Sequence, residues 1–362
     1  MKHSADSARA IDRVPAPTLD WLLGGDNPAV AVLTRRTLLG RPDDEATTAL
    51  WARRNHYAPV AAILDAVRDD GSWHTPGQDY KKYQGSLWQI LFLGELWANP
   101  VDERVQRGTT YAFSRQMPDG SWSCSNMKPH GCIPCLTANV GRSLARLGFQ
   151  RDERVAKALE YCVRLYEEQG IIDCWQAKGS QLSGYCHMLT PKLLLLLGEI
   201  PRELWPAGAD ALRDECVARL RDKRVFRSLP VEAHEFNELF WTTPSAEREG
   251  LRERFLAEHS ELHYKEKSGW LRFGFPLSYN SDALEALLAL IAVGERPREE
   301  YAEAIKVVRE AADPQWRWKL RNTLNGKMLA DIEVKGQPSK WITLRALQVL
   351  QWASQAAEAV ES

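Results

Sequence analysis

The stretch Gln116-Met117-Pro118-Asp119-Gly120-Ser121-Trp122 decides how the chain is read, because its second half has an earlier copy. Asp70-Gly71-Ser72-Trp73 recurs as Asp119-Gly120-Ser121-Trp122, 49 residues later. Self-similarity at such a period is the signature of a repeat architecture. Asp173-Cys174-Trp175 and Ser268-Gly269-Trp270 are read as degraded third and fourth copies. Each copy leads through a short polar segment into an apolar helix: Leu87 to Trp97, Leu136 to Leu147, Leu189 to Leu197, and Ala283 to Val293.

A second kind of helix accompanies the first. In Arg151 to Gln169, Val155, Ala158, Leu159, Cys162 and Leu165 share one face, and Arg154, Lys157, Glu160, Arg164 and Glu168 the other. Glu299 to Ala312 repeats the pattern, with Ala304, Ile305, Val308 and Ala311 inward. A helix apolar all round must be buried on all sides, whereas an amphipathic one is half exposed. A closed ring of inner and outer helices meets both demands, so the expectation is an all-α fold, an α/α toroid of helical hairpins. An open solenoid also fits the patterning, with polar caps at its two ends. The repeats span roughly residues 60–350 of one domain covering 1–362. A helical hairpin occupies 19–40, with Asp26 or Asn27 capping its second helix and Pro28 in the first helical position. Ser339 to Ala357 forms a last apolar helix that would close the ring. Arg202 to Lys267 is an irregular, charged segment, and alternation suggestive of strands is confined to Lys223 to Val231 and Leu329 to Val334.

Composition narrows the function classes. Lys and Arg total 47 against 48 Asp and Glu, which gives no electrostatic reason to expect nucleic acid or an anionic membrane as partner. The longest apolar stretch, Ala286 to Val293, is too short to span a bilayer. The start of the chain has no apolar signal-peptide region, so the expected location is cytoplasmic. An odd number of cysteines, seven, in a long chain without a secretion signal argues against a disulfide framework.

The run from Gln116 to Trp122 fits Gln-x3-Gly-x-Trp and resembles the QW motif of squalene-cyclase-type proteins; protein prenyltransferase β subunits carry a similar turn. The resemblance is to the terpenoid cyclase and protein prenyltransferase-like superfamily and covers the repeat architecture. The first copy departs from it, with Val67 where the Gln belongs. The resemblance implies an α/α toroid with a central cavity. The Asp-x-Asp-Asp motif of class II terpene cyclases and the Asp-Asp-x-x-Asp magnesium motif do not occur in the chain, which disfavours a conventional squalene or diterpene cyclase.

Six of the seven cysteines lie within about sixty residues (Cys124, Cys132, Cys135, Cys162, Cys174 and Cys186). Aligned on Gly148 and Gly198, which end successive inner helices, Cys132 and Cys135 fall close to the register of Cys186 and His187. Both sets then sit at the N-terminal mouths of neighbouring inner helices. Cys132, Cys135, Cys186 and His187 would make a tetrahedral zinc site, catalytic if one position stays open to water and structural if it does not. Lanthionine cyclases, which are also α/α toroids, are similar in using a Cys and an adjacent Cys-His pair for zinc. Cys186-His187 matches that dipeptide, although Met188 stands where that family has glycine. The competing reading is that these cysteines pack as small apolar side chains; Cys162 and Cys216 are assigned to core packing alone.

Other polar residues precede the inner helices. Asp79, Tyr80, Lys81 and Lys82 precede the first, and Lys340 and Trp341 begin the last; these are the candidate substrate-binding residues, with the lysines suited to a diphosphate or carboxylate. Asp282 is a candidate general acid if desolvation raises its pKa, with helix capping as the alternative. Tyr279 and His130 are further candidates for proton transfer. Aromatic-lined cavities suit isoprenoid chains and carbocations, and the chain has 14 tryptophans, those of the repeat turns being assigned to packing. Three functions follow: an enzyme acting on an apolar or isoprenoid-like substrate, possible zinc assistance included; zinc-dependent thiol addition of the lanthionine-cyclase kind; or a non-catalytic toroid that binds a peptide or lipid.

Overall fold

The computed structural model describes residues 10–75, 77–169, 182, 186–228, 234–259 and 265–358. The fold is all-α. It opens with α1 (Ala16–Leu23) and α2 (Pro28–Leu33). Asn27 caps α2 by accepting the Val30 N–H, and Pro28 stands at its first position, as the sequence predicts. The outer helix α4 (Ala58–Asp65) follows α3 (Glu45–Ala52). The apolar runs then form α5 (Ser86–Glu95), α7 (Pro134–Leu144) and α9 (Leu189–Glu199). Between them lie the amphipathic α6 (Glu103–Ser114) and α8 (Glu153–Gln169). In α5 every residue from Ser86 to Gly94 is buried, and in α9 every residue from Leu189 to Leu197. In α8, Val155, Ala158, Leu159 and Cys162 are buried while Lys157, Glu160 and Arg164 face solvent.

The segment from 202 to 267 is more regular than its charge suggests. It contains α10 (Ala209–Asp222), α11 (His234–Thr242) and α12 (Arg248–Glu258). Phe236, Phe240 and Phe255 form a small apolar core there with Leu182, separate from the main one. Two two-residue strands, β1 (Arg227–Ser228) and β2 (Lys265–Glu266), pair antiparallel. The alternation at Leu329 to Val334 forms no strand. The chain then makes α13 (Ala283–Ala292), α14 (Ala302–Glu310) and α15 (Lys340–Glu358). No helix of the described residues is long and apolar enough to cross a membrane.

Three tryptophans tie this arrangement together in the same way. The Trp73 indole N–H donates to the Ile63 carbonyl of α4, and its backbone N–H to the Ser86 hydroxyl of α5. Trp122 does the same with Ala112 of α6 and Thr137 of α7. Trp318 does so with Val308 of α14 and Thr343 of α15. Each turn therefore joins one helix to the apolar helix that follows it. Gly71 and Gly120 sit at positive φ (82° and 93°), where a side chain is costly. A Cβ at either would lie 2.2–2.3 Å from a backbone carbonyl of the next outer helix, Arg107 or Lys157. Gln116 adds to the second turn, its amide donating to the Gly120 and Arg154 carbonyls.

The turn at Trp318 corrects the sequence assignment of repeats. Its backbone bonds, Asp313 N–H to Arg317 and Trp316 N–H to Asp313, match those of Arg68 to Trp73 and Met117 to Trp122. Trp316 occupies the glycine position at φ 57°, so this turn lacks the glycine that would have advertised it. Ser268-Gly269-Trp270, assigned as a copy, forms a short 3-10 turn whose tryptophan stacks on His187. Asp173-Cys174-Trp175 lies outside the described residues.

The inner helices meet in order. α5 packs on α7, α7 on α9, α9 on α13, α13 on α15, and α15 on α2. Close approach is secured by small residues: a Cβ at Gly94 would meet Ser143 at 2.5 Å, and one at Gly198 would meet Ala292 at 2.6 Å.

Candidate functional site

At the N-terminal ends of α5 and α13 the structure gathers aromatic rings around Trp88. Tyr83 lies 4.9 Å from it between ring centroids, Tyr80 5.5 Å and Tyr279 5.8 Å. The Tyr83 and Tyr279 hydroxyls are hydrogen-bonded at 3.0 Å. The Lys82 ammonium lies 4.9 Å from the Tyr279 ring and 5.4 Å from that of Tyr83, and Lys327 is 5.8 Å from Tyr83. Tyr83 and Ser278 both adopt positive φ (67° and 53°), a conformation costing non-glycine residues ~1–2 kcal/mol. The Ser278 carbonyl is held by the Asn139 amide of α7. Trp88 Nε1, Gln89 Oε1 and Ser278 Oγ are buried here and make no hydrogen bond among the described residues, a condition rare in folded proteins.

The two phenols differ. Burial and the bond to Tyr279 push the Tyr83 phenol up. Burial also opposes ionisation of Tyr279, but the neighbouring Lys82 and Tyr83 donors and the Lys82 and Lys327 charges outweigh it, so this phenol is held below its ordinary value. Tyr279 is thus the phenol that ionises more readily, and Tyr83 is the one that stays protonated and neutral.

The other sequence candidates are placed as follows. Asp79 is buried, pairs with Arg115 at 2.7 Å and accepts the Tyr111 hydroxyl at 2.5 Å, which fastens its loop to α6. Lys81 and His130 are exposed. Lys340 is 2.5 Å from Asp26, and its backbone N–H goes to Glu333. Trp341 stacks on Phe275 at 4.8 Å and lines the cavity described below. Asp282 caps α13, one oxygen accepting the Glu285 N–H at 2.8 Å and the other the Gly274 N–H at 2.9 Å. Burial, reinforced by the Glu285 charge, pushes its carboxyl up to about 7. Beside it, Lys192 pairs with Glu285 at 2.5 Å, both side chains buried.

Cys132 accepts the Ser121 hydroxyl at 2.9 Å. Cys135 is partly buried at the start of α7. Cys186 is buried. His187 stacks on Trp270 at 4.3 Å with its Nε2 2.9 Å from the Val225 carbonyl. Burial pushes its pKa down to about 3, which keeps the ring neutral. Among the described residues no three His, Cys, Asp or Glu side chains are grouped to hold a metal. Cys162 and Cys216 are fully buried, as expected of core cysteines.

Sequence reasoning reached a second region only through Trp341. Residues of α2, α7, α9, α13 and α15, with Trp97 beyond α5, line a cavity of about 470 Å³. Glu95 pairs there with Arg142 and, at 2.5 Å, with Arg345; Glu199 pairs with Arg146 at 2.5 Å. The five side chains are each at most 20% exposed. Burial alone would raise the Glu95 carboxyl, but the Arg142, Arg345 and Arg146 charges reverse this and hold it far below the usual carboxylate range. A signal for the region was present: Leu93-Gly94-Glu95 and Leu197-Gly198-Glu199 repeat a Leu-Gly-Glu ending of the inner helix.

No protein-family model matches the chain, and no curated protein matches it. Among solved structures, a protein from Actinoplanes is similar over 84% of this chain and 99% of its own, at 17% identity and a TM-score of 0.30, too slight a likeness to carry an argument.

Proposed function

We propose that this chain is an α/α toroid of the kind the QW-like turn resembles, and that it acts as an enzyme on an apolar, isoprenoid-like molecule at its aromatic mouth. The ring reading is supported by the order of inner-helix contacts from α5 through α15 to α2. It is also supported by the bond between Glu95 of α5 and Arg345 of α15, two helices that stand far apart in that order.

The observation that carries the functional reading is the hydroxyl pair of Tyr83 and Tyr279 set against Trp88 and Lys82. The rings offer an apolar, electron-rich surface that attracts both hydrocarbon and developing positive charge. The Lys82 charge and the Tyr83 hydroxyl stabilise the phenolate of Tyr279, which takes a proton from the bound molecule and becomes the neutral phenol, while Tyr83 keeps its own proton. General acid–base groups work best when their pKa approaches the operating pH, and the lysines move Tyr279 in that direction.

Farnesol titration followed by tryptophan fluorescence tests the reading. Saturable binding, weakened at least tenfold in Tyr80→Ala and retained in Tyr279→Phe, is the expected result. Turnover of an isoprenoid substrate should disappear in Tyr279→Phe. Absence of binding, or binding indifferent to Tyr80, removes the mouth as the site; binding without any turnover favours a non-catalytic toroid.

A further inference from the structure

The buried charges around the second cavity do not balance among themselves. Among the described residues three guanidinium groups, Arg142, Arg146 and Arg345, face two carboxylates, Glu95 and Glu199. Glu285 also lines the cavity, but Lys192 neutralises it. The nearby Asp282 carboxyl already accepts two backbone N–H groups, and burial favours its protonated form. Two donors in the cluster are also idle. Arg142 Nε and Arg146 Nη1 are buried and make no hydrogen bond among the described residues, standing 3.8 Å from a Glu199 oxygen and 3.9 Å from a Glu95 oxygen respectively. Arg142 is the more telling, since its side chain is only 6% exposed. An unsatisfied donor on a buried charge is costly and calls for an acceptor. The rest of the wall is largely apolar, with Leu195, Leu288, Ile291, Leu344 and Trp352.

We propose that this cavity is a binding site for a small organic carboxylate with an apolar body, its head on Arg142 and Arg146 and its body against α13 and α15. A guanidinium matches the planar, two-oxygen acceptor of a carboxylate. One surplus positive charge suits a monoanion; a phosphate dianion would overcompensate it. The volume lies within the ~300–1,000 Å³ of small-molecule sites. The site is separate from the tyrosine mouth, and its ligand does not depend on what the mouth binds.

Isothermal titration of the intact chain with decanoate, decan-1-ol and inorganic phosphate tests the proposal. The expected result is 1:1 binding of decanoate at least tenfold tighter than decanol, with phosphate weaker than decanoate. Arg146→Gln should weaken decanoate at least tenfold. Leu288→Trp, which fills the cavity without touching a charge, should abolish binding while the helical circular dichroism persists. Equal affinity for decanoate and decanol, preference for phosphate, or no binding overturns the proposal on the unmodified chain alone, whether or not the variants fold. Decanoate binding untouched by Leu288→Trp in a folded protein also overturns it, by placing the ligand elsewhere.

Discussion

Replacing Glu95 by Gln should be among the most damaging single changes available in this chain. The amide keeps the shape of the carboxylate and removes its charge. Arg142 and Arg345 each lose their hydrogen-bonded counter-ion, and Arg146 loses a carboxylate at 3.9 Å. Among the described residues Glu199 is then left as the ion-pair partner for three guanidinium groups, whose side chains are 6–12% exposed. Breaking a buried pair by removing one partner costs about 3–5 kcal/mol. At the low end of the temperature shift per unit of free energy, as suits a long chain, the melting midpoint falls by ~6–10 °C. Urea unfolding at fixed pH measures the difference directly. The pH dependence supplies a second check. Because the folded Glu95 carboxyl is depressed from its ordinary 4.5, its contribution is fully present above that value. It is lost as pH falls toward the folded value. The gap between parent and Glu95→Gln should therefore be widest near neutrality and narrow steadily below pH ~4.5. A variant within ~1 kcal/mol of the parent at pH 7, a difference expected of a surface pair, would refute the view of this cluster as a buried, mutually dependent unit.

Three further outcomes follow from other parts of the fold. Gly120→Ala should cost more than ~2 kcal/mol, because the penalty for a side chain at positive φ adds to a 2.2 Å approach to the Lys157 carbonyl. Gly294→Ala, with positive φ and nothing within 4 Å, should cost clearly less in the same thermal melt; equal losses would contradict the packing argument. Lys192→Met should destabilise by ~3–5 kcal/mol, and Lys192→Met with Glu285→Leu should restore most of it, as for other buried pairs replaced whole by apolar residues; chemical denaturation of both decides. Lys82→Met should move the Tyr279 phenol midpoint upward in an ultraviolet absorbance titration, and Tyr279→Phe should delete that step.

The helices and the tryptophan turns were legible because a burial period and a turn chemistry are both local. The apolar runs at Leu87, Leu136, Leu189 and Ala283 became helices within a few residues of their expected limits. The Asn27 cap and Pro28 fell where turn chemistry places them. The copy at Asp313 to Trp318 escaped notice because Trp316 fills the glycine position, its strained backbone held by tertiary contacts that no local rule reveals. The aromatic mouth was half legible: Tyr80, Lys82 and Tyr279 were named, but their meeting depends on which inner helices are neighbours. Asp79 and Lys340 looked like ligand-binding charges because Arg115 and Asp26, their partners, are remote in sequence. The arginine cluster was invisible for the same reason. Arg142 and Arg146 are ordinary residues of a helix until Glu95, Glu199 and Arg345 arrive from three others.

The bond between Glu95 and Arg345 spans 250 positions of the chain, and that between Thr18 and Gln315 spans 297. Chain closure over such lengths carries an entropic cost that local helices do not meet. During synthesis, the hairpins built on Trp73 and Trp122 have all their partners soon after they emerge. Arg142, by contrast, stays in a half-built wall until residues 340–352 have been made. The growing polypeptide therefore passes through a stage with sound hairpins and an open flank of buried-type arginines, and it becomes a finished object only when α15 slots home.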